Sequence, residues 1–204
     1  MLAKGPRIIW EIVCLIVGVS LGLAACGLNL ISQDSELELG KQISRQVESQ
    51  MKVLNDQEIG EYIDSIGQKL AKSSRRPDMT YHIKVIDSDE INAFAIPGGY
   101  LYVNRGLIEA ADNEAELAAV MGHEIAHVTE RHATKQYTQA QLYQIASTIG
   151  SVVVGGPAGR AGQMVSGLGG ALLFRKFSRM DEAEADHYGL EYMVKSSYDP
   201  HAAV

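Results

Sequence analysis

The segment GHEIAHVTERH, Gly122 to His132, constrains this chain more than any other. Residues four apart on an α-helix are rotated by about 400°, little more than one full turn, so His123 and His127 project from one face and their imidazoles can converge on one ion. Glu124 follows the first histidine, where it can take a proton from a water acidified by a metal. The apolar approach AELAAVMG predicts that this helix is buried, with Asp112 or Asn113 as its cap and Glu114 and Glu116 suiting the positive end of the helix dipole. The same reading carries the helix on to about Lys135.

A hydrolytic zinc site takes three protein ligands and keeps a position open. His132 is the nearest candidate for the third. The zinc proteases with a third histidine have glycine three residues after the second histidine and the ligand six after it. Here those positions hold Glu130 and Ala133. On a continuous helix His132 also stands about 140° round from His127, so it reads as a surface residue or one that supports a ligand. The segment DEAEADHYG offers more. Glu182 and Asp186 are four apart and share a helix face, so Glu182 can ligate while Asp186 accepts the other ring N–H of His123. Glu184 falls on the opposite side of that helix.

Around these segments, Leu37, Ile43 and Val47 suggest one helix, and Ile59, Ile63, Ile66 and Leu70 a second. The break KSSRRPD ends the second, and YHIKVI, Tyr81 to Ile86, reads as a strand. In INAFAIPGGYLYVNRGLI two apolar runs joined by Pro97, Gly98 and Gly99 predict a hairpin. The glycine-rich stretch from Ile145 to Phe174 is broken by Pro157, Arg160 and Gln163 into pieces too short to span a membrane, and suggests a helical hairpin. A last helix starts near Met180, and YDPHAAV reads as a turn opening another.

The N-terminal segment reads as an address. Lys4 and Arg7 precede the apolar run Ile12 to Leu23, and LAAC, Leu23 to Cys26, resembles a bacterial lipobox with Cys26 as the lipidated residue. The alternative is an uncleaved anchor over Ile8 to Ala25. The expected organisation is a signal peptide at 1–25, a linker at 26–35 and a metallopeptidase domain at 36–204. With 25 acidic against 18 basic residues and a net charge of -7, no extended basic face exists to neutralise phosphates, so nucleic acid is not an expected partner. The membrane tie is then the acyl chain rather than a basic patch.

Three segments in one order, NAFAIPGGYLYVNRGLI, NEAELAAVMGHEIAHVTERH and DEAEAD, resemble the HtpX and CAAX-prenyl-protease family of zinc metallopeptidases, the minigluzincins, and more closely its periplasmic lipoprotein and TPR-linked members. The resemblance implies an α+β, predominantly helical fold with a small mixed β-sheet packed on the His-Glu-x-x-His helix. It implies one zinc ion per chain held by His123, His127 and Glu182, and an edge strand in which Asn92, Ala93 and Phe94 bind substrate. It implies an endopeptidase of the cell envelope, acting on misfolded or unassembled proteins in the periplasm and tied to the outer membrane by its lipid. Alternatively, it implies a chaperone-like factor with a latent zinc site that serves the outer-membrane assembly machinery.

Overall fold

The computed structural model describes residues 29–153 and 176–203. The expected signal peptide, the expected lipidation site Cys26 and most of the stretch expected to form a helical hairpin lie outside the described residues. The chain divides into two compact units, and the one that carries the residues discussed above comprises Ser32–Ala133 and Gly169–Val204. Of the other, the described part is 29–31 with the helix that runs on from Thr134, where the Asn29 amide donates to the Thr134 hydroxyl at 2.6 Å.

Helix α1, Gln33–Gln50, is capped by Ser32, whose hydroxyl accepts the Ser35 N–H. Its buried face is Glu36, Gly40, Ile43 and Val47. Leu37, expected inside, is 46% exposed. The helix presses its backbone onto the turn at Pro97, where a Cβ on Gly40 would stand 2.0 Å from the Pro97 carbonyl oxygen and one on Gly98 3.3 Å from the Leu37 Cα. Helix α2, Gln57–Lys72, is capped by Asp56 and buries Ile63, Ile66 and Leu70 as its period predicts.

Three strands follow: β1 (His82–Ile86), β2 (Ala93–Ile96) and β3 (Tyr100–Asn104). The order is β1-β3-β2, with β1 parallel and β2 antiparallel to β3. The sheet is therefore mixed, and β2 lies at its edge. The β2–β3 turn requires its glycines, since Gly98 and Gly99 have φ of 79° and 87°. The second apolar run does not stay extended as a single element: β3 ends at Asn104 and a short helix α3, Arg105–Ala110, begins at once.

Helix α4, Glu114–Thr129, starts at Asn113, whose side chain accepts the Ala115 and Glu116 N–H groups. It ends earlier than the sequence suggests. Glu130 is the C-cap, Arg131 takes a left-handed conformation with φ 60°, and α5 begins anew at His132 and runs to Val153. No glycine marks this turn. A buried ion pair holds it instead: Arg131 Nε donates to Glu36 Oε2 at 2.7 Å, while Arg76 donates to Glu36 Oε1 at 2.9 Å.

Helix α6, Arg179–Lys195, opens with a capping box between Ser178 and Asp181, and a 3₁₀ turn follows at Pro200–Ala203. The main core gathers Ile63, Ile66 and Leu70 from α2, Leu101 and Val103 from β3, Met121 and Ile125 from α4, and Tyr192 and Met193 from α6. Each fully buried side chain of this size contributes roughly 1.5–3 kcal/mol. Apolar contact on several sides makes α4 the fixed element on which site residues can be held. The chain is predominantly helical with a small mixed three-stranded sheet.

Candidate metal centre

Helices α4 and α6 approach through glycines. A Cβ on Gly189 would lie 2.9 Å from the His123 backbone nitrogen, and one on Gly122 would lie 3.2 Å from the Gly189 carbonyl oxygen. This close crossing sets the acidic side of α6 over the histidines of α4. His123 Nε2 and His127 Nε2 are 3.0 Å apart, and Glu182 Oε2 is 3.4 Å from His123 Nε2. One donor atom from each of the three residues lies within 4.8 Å of the others.

The outer nitrogens decide what the inner ones can do. Asp186 Oδ1 lies 2.9 Å from His123 Nδ1, so the ring proton sits on Nδ1 and is donated to the carboxylate, which leaves Nε2 with a lone pair. His127 Nδ1 lies 2.8 Å from His132 Nδ1. With the His127 proton on that side, its Nε2 is also an acceptor. Two imidazole lone pairs and a carboxylate oxygen then face one another with no proton to share, an arrangement that calls for a cation. Two histidines and one glutamate are a ligand set zinc hydrolases use.

His127 is 4% exposed and its ring stacks on Phe177 at 4.1 Å. Burial first, then the neighbouring His123 and His132, push its imidazolium down to about 3, so the ring stays in the neutral form a metal needs. Glu124 Oε2 accepts the Ala95 N–H of β2 at 3.0 Å, and its carboxyl lies near enough to Glu182 to feel its charge. Loss of water around its carboxyl pushes it up to about 8; the Ala95 bond opposes this and Glu182 adds to it. A carboxyl with so raised a pKa in a cleft is suited to proton transfer near neutrality.

The strand residues separate by environment. Asn92 is exposed just before β2, and its carbonyl accepts the Asn104 N–H at 3.0 Å. Ala93 is buried, and Phe94 is half-buried and stacks on Tyr102 at 5.2 Å. In an antiparallel ladder, main-chain groups alternate between partner and open edge. The Asn92 bond to β3 therefore puts the groups of Ala93 and Ala95 on the open side. Ala95 was not among the residues the sequence singled out, although the alternation would have found it once the edge was known.

Of the two readings of His132, the surface one fails, while its contact with His127 fits the other; its acidic neighbours were not foreseen. This histidine is fully buried rather than on the surface, and its Nε2 is 3.0 Å from Glu184 Oε2 and 3.6 Å from Asp181 Oδ1. Glu184 does lie across α6 from Glu182, as expected, but His132 stands there to meet it. His132, Asp181 and Glu184 form a second group with donor atoms within 4.8 Å.

The family model of peptidase family M48 matches residues 58–204. The chain belongs to peptidase family M48. It is 33% identical over 181 residues to the beta-barrel assembly-enhancing protease of Escherichia coli K12, which covers 84% of this chain and 37% of that protein. A putative beta-barrel assembly-enhancing protease of Vibrio cholerae is 34% identical over 178 residues, covering 83% of this chain and 36% of its own length. The mitochondrial metalloendopeptidase OMA1 of Schizosaccharomyces pombe is 31% identical over 144 residues, covering 70% and 41%. The chain thus spans little more than a third of the length of the assembly-enhancing relatives. The family is one of peptidases, and the name of the Schizosaccharomyces pombe relative is that of a metalloendopeptidase. Among the described residues, no helix is long and apolar enough to cross a membrane.

Proposed function

We propose that this M48 member is a zinc-dependent endopeptidase of the bacterial cell envelope, built on the minigluzincin plan with its sheet against α4. The observation that carries this reading is the convergence of His123 Nε2, His127 Nε2 and Glu182 Oε2 beside the Glu124 carboxyl. His123, His127 and Glu182 would hold one zinc ion. Bound there, zinc would supply Lewis acidity toward the scissile carbonyl and lower the pKa of water.

The chain's own residues would do the rest. Glu124 acts as the general base and returns the proton to the leaving amine. Asp186 holds the His123 ring in the tautomer that leaves Nε2 free. Asn92, Ala93 and Phe94 border the cleft. The open edge of β2 accepts an extended peptide through main-chain bonds, which suits substrates of many sequences. Phe94, stacked on Tyr102, shapes that edge rather than offering a bond of its own. Beside His123 a cavity of about 830 Å³, lined by Leu107, Val120, Leu190 and Met193, has room for a substrate side chain.

The lipobox-like LAAC supports anchoring through lipid on Cys26, facing the periplasm from the outer membrane, with misfolded or unassembled envelope proteins as substrates. A second reading is an assembly factor for outer-membrane proteins with a latent site. The name of the Escherichia coli relative, which joins assembly to proteolysis, favours keeping it.

The deciding experiment is cleavage of unfolded casein by the zinc-loaded protein and by Glu124→Gln at equal zinc content. Cleavage by the wild type alone supports the peptidase. Zinc in both and cleavage by neither moves the assembly role ahead, and equal cleavage by both overturns the role given to Glu124.

A further inference from the structure

We propose that His132 is a positioning residue for the metal centre, seated against His127 by the left-handed turn at Arg131 and oriented from behind by Glu184. The inference rests on the reading of His127 as a ligand and goes beyond it in naming what fixes that ligand.

The geometry allows one consistent placement of protons. His127 must offer Nε2 to the ion, so its proton is on Nδ1 and points at His132 Nδ1, 2.8 Å away. His132 then accepts at Nδ1 and carries its own proton on Nε2, which points at Glu184 Oε2 at 3.0 Å, with Asp181 Oδ1 next at 3.6 Å. The chain of bonds runs from carboxylate to His132 to His127. It supplies for the second histidine what Asp186 supplies for the first, with an imidazole interposed. A carboxylate behind a ligating imidazole raises its basicity and locks its ring plane, and loss of such support weakens metal binding about 10–100-fold.

The fold makes this contact by a device that only tertiary structure supplies. On a continuous helix His132 would project away from His127. The break after Thr129 and the φ of 60° at Arg131 bring it back until the ring centroids are 4.9 Å apart. A non-glycine residue in that conformation costs about 1 kcal/mol or more and persists only where its surroundings hold it. Here Glu36, 1% exposed, binds Arg131 and Arg76 together. Phe177 stacks on a face of the His127 ring, while His132 meets its Nδ1 edge. Full burial of His132 with both nitrogens bonded leaves it no role as a free ligand in the described structure.

The test uses zinc dissociation constants and the visible spectrum of the cobalt-substituted protein, for the wild type, His132→Phe, His132→Asn and Glu184→Gln. Unfolding midpoints are taken without metal. His132→Phe fills the space without an acceptor and should weaken zinc by 10-fold or more and alter the cobalt bands, beyond any change in the metal-free midpoint. His132→Asn keeps an oxygen where Nδ1 stood and should recover part of the loss. Glu184→Gln, at a partly exposed position, leaves folding intact and should weaken zinc by a few fold. Wild-type zinc affinity and spectrum in all folded variants would overturn the inference, and if His132→Phe does not fold, the other two variants decide. Failure of the wild type to bind zinc at all would instead overturn the metal reading beneath it.

Discussion

Gly122 and Gly189 face each other where α4 crosses α6, so closely that a methyl group on Gly189 would meet the backbone of His123 at 2.9 to 3.0 Å. The crossing positions the site because Glu182 and Asp186 reach the histidines only from a helix that lies this near. Gly189→Ala should therefore act against helix propensity, which alone would favour alanine by about 1 kcal/mol. Overpacking against backbone costs about 1–3 kcal/mol. The variant is expected to unfold at lower urea than the wild type without metal and to bind zinc more weakly. A rise in the metal-free midpoint would show that the helices separate freely.

The buried carboxylate of Glu36 makes a second prediction. It bonds two arginines from segments distant in sequence, and its removal leaves their charges in a partly buried site. Glu36→Ala should destabilise by about 3–5 kcal/mol. Chemical denaturation measures this directly. A loss below about 1 kcal/mol would mean that the turn at Arg131 is held by other contacts.

Asp186 touches only the outer nitrogen of His123, and Glu182 faces the inner one. Asp186→Asn should weaken zinc by about 10–100-fold without abolishing binding. Competition with a chromophoric chelator gives the value. Unchanged affinity would remove Asp186 from the account.

The raised pKa of Glu124 predicts a pH-dependent difference in the metal-free protein. In the unfolded chain a glutamate loses its proton near 4.5, whereas the folded protein keeps the Glu124 proton to about 8. Through that window the folded state binds more protons, so stability falls as pH rises. Glutamine carries no such charge. With chelator present, Glu124→Gln should match the wild type near pH 4.5 and exceed it by pH 8, by an amount on the order of 4 kcal/mol. A zinc ion favours the carboxylate and should shrink the difference. Urea midpoints at several pH values measure it, and a gap that does not change with pH would contradict the buried proton.

Much of this fold can be read locally. The apolar period Ile59, Ile63, Ile66, Leu70 and the caps at Asp56 and Asn113 depend on neighbours within one or two turns. The same holds for the facing pairs His123 with His127 and Glu182 with Asp186, each fixed by helical spacing. What escapes such reading depends on contacts far along the chain. The helix break at Arg131 has no glycine or proline to announce it, and its anchor Glu36 is 95 residues away. Leu37 looks like a core residue until Gly40 is seen against Pro97. The surface reading of His132 fails for the same reason: a helix continued past Thr129 carries it away from the site into which the break returns it.

The central claim is that one zinc ion is held by His123, His127 and Glu182 and not by the neighbouring group of His132, Asp181 and Glu184. Zinc titration of the metal-free protein, alongside Glu182→Ala and Asp181→Asn, separates the two. One ion per chain is expected, with a loss of affinity greater than about 100-fold in Glu182→Ala and a small effect in Asp181→Asn. Full affinity in Glu182→Ala with binding lost in Asp181→Asn would contradict it.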